Sequence, residues 1–98
     1  MTMPRQRMLV SGGSKPSLPN HVRIQFDPLR QAYAVLAPEK IFWPNEISLD
    51  ILRRCDGSST VETIVADLAS DYDAPEEDVE GDVTTFLQEW SDKLLVRL

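Results

Sequence analysis

The sequence predicts a small α+β domain in which three antiparallel strands come first and three helices follow. Three observations carry this. Apolar and polar residues alternate from His21 toward Leu36, the period of a half-buried strand. From Asn45 onward the apolar spacing changes to that of helices. Three strands cannot bury their own apolar face, so the helical stripes must cover it. A length of 98 residues, 42% hydrophobic and 27% charged, suits one globular domain and no more.

Residues 1–20 hold Pro4, Ser11, Gly12, Gly13, Ser14, Pro16, Ser17 and Pro19. So many breakers with so little to bury predict a disordered tail or linker, leaving 21–98 as the domain. Over His21–Asp27, Val22, Ile24 and Phe26 share one side, and Arg23, Gln25 and Asp27 the other. Asp27-Pro28-Leu29-Arg30 supplies a turn. Gln31–Leu36 then returns as the second strand of an antiparallel hairpin, with Tyr33 and Val35 on one face. After a break at Pro38-Glu39, Lys40, Ile41, Phe42 and Trp43 make a short third strand. Pro44 stops it. A proline has no donor to give a ladder, which marks this strand as an edge.

Asn45 is suited to cap the first helix, whose buried face runs through Ile47, Ile51, Leu52 and Cys55. Asp56-Gly57 is expected to end it, with Gly57 in the left-handed conformation. Ser59-Thr60-Val61-Glu62 fits a capping box for the second helix, with a stripe of Val61, Ile64, Val65, Leu68 and Tyr72. A third helix is expected from Pro75 to Lys93, its first turn acidic at Glu76, Glu77 and Asp78. Its stripe is Val79, Val83, Phe86, Leu87, Trp90 and Leu94. Gly81 inside it suggests close packing against another element. Residues 95–98 read as a terminal strand or a frayed end.

Several function classes are disfavoured. One cysteine and one histidine build neither a disulfide nor a four-ligand metal site. Cys55 and His21 are a conceivable nucleophile and base, but nothing places them together, and Cys55 reads as a small buried group at a helix end. No phosphate loop, C-x-x-C, H-E-x-x-H or G-x-S-x-G occurs, so no catalytic, cofactor-binding or metal residues are assigned. No apolar run reaches the ~20 residues of a membrane span. Arg5 and Arg7 are followed by only Met8-Leu9-Val10, too short for a secretory signal, so a cytoplasmic location is expected.

The net charge of −6 is unevenly placed. Residues 1–45 carry six Lys/Arg against two Asp/Glu, and residues 46–98 four against fourteen. An acidic half repels phosphate backbones and disfavours nucleic acid. The tight glycine turn between the first two helices is nevertheless how a helix-turn-helix is built, so a DNA-binding regulator is the alternative reading. Against it, the second helix carries Glu62, Asp67 and Asp71 and no Lys or Arg.

Ile41-Phe42-Trp43 is the more informative feature. Three large apolar residues in a row on one strand cannot all face one core. An edge strand of this kind can accept another chain through main-chain hydrogen bonds, while neighbouring side chains select it. Phe86, Leu87 and Trp90 are candidates for those pockets, although helical spacing equally suits them to the core.

Four segments, taken together, resemble the pyrroloquinoline quinone biosynthesis protein D (PqqD) family. They are Leu36–Lys40, Ile51–Gly57, Thr60–Val65 and Tyr72–Glu77. The resemblance spans about His21 to Val96. It implies a winged helix-turn-helix variant with three strands and then three helices, without catalytic activity. It also implies the function of a recognition element for ribosomally made peptides: binding the precursor peptide PqqA and presenting it to the radical S-adenosylmethionine enzyme PqqE. The peptide would lie along the third strand and against the third helix, here Lys40, Ile41, Phe42 and Trp43 with Val83, Phe86, Leu87 and Trp90. Two departures from the family pattern fall near that groove. Asp92-Lys93-Leu94-Leu95 stands where a glycine is common, and Trp90 stands where an aliphatic residue is usual.

Overall fold

The computed structural model describes residues 8–98. Three strands, β1 (Arg23–Asp27), β2 (Ala32–Ala37) and β3 (Lys40–Phe42), precede three helices, α1 (Glu46–Arg53), α2 (Val61–Asp71) and α3 (Glu76–Asp92). The sheet is antiparallel throughout, in the order β1-β2-β3. Its register places Ile24 opposite Val35, Phe26 opposite Tyr33, and Val35 opposite Phe42. Those residues share the face turned to the helices, where Val35 joins Ile51, Leu52, Ile64, Leu68, Val83 and Leu87 in one core. Phe26 and Tyr33 extend this face beyond the core, as an exposed pair with ring centroids 5.0 Å apart.

The hairpin turn is built by Asp27, whose Oδ1 accepts from the backbone N–H groups of Leu29 at 2.9 Å and Arg30 at 3.4 Å. Gln31 takes φ +51°, so β2 starts one residue later than the alternation suggests. Asn45 caps α1 as expected, its Oδ1 accepting from Ser48 N–H at 2.9 Å. α1 stops at Arg53, with Arg54 as its cap. Gly57 is left-handed at φ +79°, but in the loop around Asp56 and not at the helix end. α1 and α2 are tied by an Arg54–Asp71 ion pair at 2.6 Å and by the Tyr72 hydroxyl donating to Asp50.

The expected Ser59–Glu62 capping box does not form. Thr60 is the cap, its Oγ1 accepting from Thr63 N–H at 3.2 Å, while Ser59 is drawn to the Asp56 carboxylate. The other free donors of the first turn of α2 are met from elsewhere. Val61 N–H donates to Ser14 O at 2.9 Å and Glu62 N–H to Gly12 O at 3.1 Å.

Residues 8–20 are therefore not the disordered tail that their composition suggests. Gly57 N–H donates to Pro16 O at 2.9 Å, and Ser17 exchanges two 2.8 Å backbone bonds with Arg97. Pro16 is fully buried, and Val10 and Leu18 pack against the core. Gln88 of α3 grips the start of this strap, accepting from Val10 N–H at 3.0 Å and donating to Met8 O at 2.9 Å. The strap holds because it offers carbonyls to helix donors that would otherwise face water or nothing. Residues 1–7 of the expected tail lie outside the described residues.

Two details of α3 also differ from expectation. A Cβ on Gly81 would meet nothing within 4 Å, so no element packs closely there. Leu94 leaves the buried stripe: it is half exposed, with φ +65°, while Leu95 and Val96 are buried in its place. Leu94 N–H donates to Ser91 O at 2.9 Å and Leu95 N–H to Trp90 O at 2.9 Å. This paired closure of a helix normally puts glycine where Leu94 sits. No helix among the described residues is long and apolar enough to cross a membrane.

Candidate peptide-binding edge

β3 is the outer strand of the sheet, so one of its edges has no partner strand among the described residues. α3 passes alongside. Phe42 meets Trp90 with ring centroids 5.1 Å apart, and Trp90 stacks on Phe86 at 5.0 Å. Such pairs add about 0.5–1.5 kcal/mol each beyond the area they bury. Trp90 is buried, whereas Phe42 and Phe86 are half-buried, and Phe42 borders a groove between strand and helix.

The groove deepens toward the C-terminal end of α3. There a cavity of about 550 Å³ is lined by His21, Ala37, Pro38, Glu39, Lys40, Phe42 and Lys93–Leu95. His21 Nε2 lies 3.2 Å from Leu94 O, so a protonated Nε2 donates to it and joins the strand side to the helix end. Lys40 Nζ stands 5.9 Å from the Phe42 ring centroid. Lys40, Lys93 and Glu39 together put both charge signs on this rim.

The predicted residues separate into three groups. Phe42, Phe86 and Trp90 come together as one aromatic row, of which Phe42 lines the groove beside Lys40. Val83 and Leu87 are wholly buried core residues behind it. Ile41 and Trp43 point to the opposite face of the sheet, 60% and 44% exposed. His21, Pro38, Lys93, Leu94 and Leu95 were not legible as lining. They meet only because the chain turns back at a left-handed leucine, and no turn residue in the sequence announces that.

The thiol of Cys55 is no nucleophile. It is buried, donates to Ile51 O at 3.2 Å, and is pushed up to about 12 by burial and by the charge of Asp56. No cluster of His, Cys, Asp or Glu among the described residues is arranged to hold a metal ion.

Residues 32–96 match the family described as Coenzyme PQQ synthesis protein D (PqqD). Two relatives named PqqA binding protein, both from Rhodopseudomonas palustris, are 38% and 42% identical over 91 residues. Each match covers 93% of this chain and 89% of the relative. It therefore reaches into the strap. Among solved structures, the chain is similar to the PqqD truncation of Methylobacterium extorquens PqqCD, described as a functional and stand-alone RiPP recognition element. That likeness has a TM-score of 0.77 at 32% identity and covers 91% of this chain and 95% of the other. It is also similar to PqqD from Xanthomonas campestris, with a TM-score of 0.58 at 34% identity, covering 91% and 99%.

Proposed function

The chain belongs to the PqqD family, and from that premise we propose that it binds the precursor peptide PqqA as a strand added to the free edge of β3. In this reading it is a non-catalytic recognition element of pyrroloquinoline quinone biosynthesis. It presents the bound peptide to the radical S-adenosylmethionine enzyme PqqE, in the cytoplasm where the peptide is made. The observation that carries the reading is the unpartnered edge of β3 beside the Phe42–Trp90–Phe86 aromatic row. Main-chain bonds to the edge supply affinity without regard to sequence, and ring surface in the groove supplies choice.

One added strand buries little area, at or below the ~1,200 Å² that marks the low end of specific interfaces. Affinity near micromolar, about −8 kcal/mol, is the expected scale. The test is titration of the full chain with synthetic PqqA, followed by calorimetry and amide shifts. Shifts are expected on residues 40–43 and along 82–90. Phe42→Asp and Phe86→Ala should each weaken binding roughly 30-fold, the ~2 kcal/mol of an interface hot spot. Folding of each variant is checked by circular dichroism. Unchanged affinity in folded variants would rule the groove out.

The DNA-binding alternative has no comparable support, since neither α2 nor α3 carries a lysine or arginine.

A further inference from the structure

The solvent face of the sheet departs from what an edge requires. Edge strands ordinarily carry charge where they face water. Here Ile41 and Trp43, 60% and 44% exposed, stand beside half-buried Leu36 and buried Ala34. Leu36 is the register partner of Ile41. With Arg30, whose guanidinium lies 4.8 Å from the Trp43 ring centroid, they border a depression of about 290 Å³.

We propose that this outer shelf is the second half of the peptide site, and that it reads the side chains of the added strand that point away from α3. This rests on the strand-addition reading above. The occupant follows from geometry. A strand bonded to the edge of β3 turns alternate side chains to the two faces of the sheet. One set must fall beside Phe42 and the groove, and the other beside Ile41 and Trp43. The same strand therefore cannot be bound at the edge without covering part of the shelf.

This sets the kind of peptide recognised. A sheet with a wet outer face would choose a strand of alternating apolar and polar residues. This sheet is apolar on both faces of its free edge, so it selects a segment with apolar residues at consecutive positions. Arg30, beside Trp43, already faces Asp27 at 3.8 Å, so the shelf selects by apolar surface and not by charge.

The test is calorimetric titration of the full chain and of Ile41→Ser and Trp43→Ala with synthetic PqqA and an alanine scan of that peptide. Both substitutions are at exposed positions, so folding should survive, and circular dichroism checks it. Each is expected to lower affinity about tenfold, and alanine should hurt at peptide positions of both parities. If Phe42→Asp weakens binding while Ile41→Ser and Trp43→Ala bind as the unsubstituted chain does, the shelf is overturned and the groove stands. If PqqA does not bind the unsubstituted chain, both readings fall together. If sedimentation shows a dimer that Trp43→Ala dissociates with no change in peptide affinity, the shelf is a self-interface and the proposal is overturned.

Discussion

The β1–β2 hairpin and the strap of residues 8–20 are held by opposite means. The hairpin satisfies its own backbone by pairing strand to strand. The strap satisfies the backbone of other elements: Gly12, Ser14 and Pro16 offer carbonyls to Glu62, Val61 and Gly57. A run of Ser, Gly and Pro looks unable to fold because it has little to bury. It orders here because α2 begins with donors that need acceptors. Apolar content measures one means of ordering a segment and is blind to the other.

The largest expected effect breaks that comparison directly. Removing residues 1–18 should lower stability by roughly 3 kcal/mol. Five backbone bonds at about 1 kcal/mol each are lost along with the burial of Pro16, partly offset by the entropy that the strap regains. A urea midpoint unchanged by the truncation would return the segment to the status of a tail.

A smaller effect sharpens the comparison within the strap. A Cβ on Gly12 would come within 2.5 Å of Glu62 Oε1 and 2.9 Å of its Cγ, whereas one on Gly13 meets nothing within 4 Å. Glu62 can swing away, so Gly12→Ala should cost only about 1 kcal/mol, and Gly13→Ala should be neutral or slightly stabilising. Equal effects in thermal melts would mean that Gly12 does not approach α2 closely.

The smallest effect concerns Asp56, whose turn adjoins the strap at Gly57. The backbone N–H groups of Ser59 and Ser58 hold its carboxyl below the ordinary 3.8. A depressed carboxylate adds stability above its unfolded value and loses it as pH falls through the folded one. Asp56→Ala should therefore be slightly less stable than the unsubstituted chain at neutral pH, and the two should converge as pH drops below that of ordinary carboxylates. A difference that persists in acid would assign the effect to something other than the charge.

What the sequence made legible follows the same division. Period two located β1 and β2, and the Asn45 cap and the Val61–Leu68 stripe located two helices, because each is a local pattern. The aromatic row is legible in full, since Phe42, Phe86 and Trp90 are all candidates from the sequence, but Val83 and Leu87, at equally good spacing, belong to the core. Helical spacing names a face and does not say what lies across from each turn of it. The cap of α2 was misplaced by one residue because Ser59 and Thr60 are both good caps, and Asp56 decides between them by engaging Ser59. The end of α3 was misread because leucine in a left-handed position has no sequence signature.

The bridge between Ser17 and Arg97 has a consequence for how the chain is made. Met8 and Gln88 also bond across 80 positions of sequence. Contacts of such separation form late, since the loop they close costs entropy before it is repaid. During synthesis the hairpin and the first two helices can emerge and pair early. The strap's bonds to Gln88 and Arg97 then form last, after Gly12 and Ser14 have already met the donors of the first turn of α2.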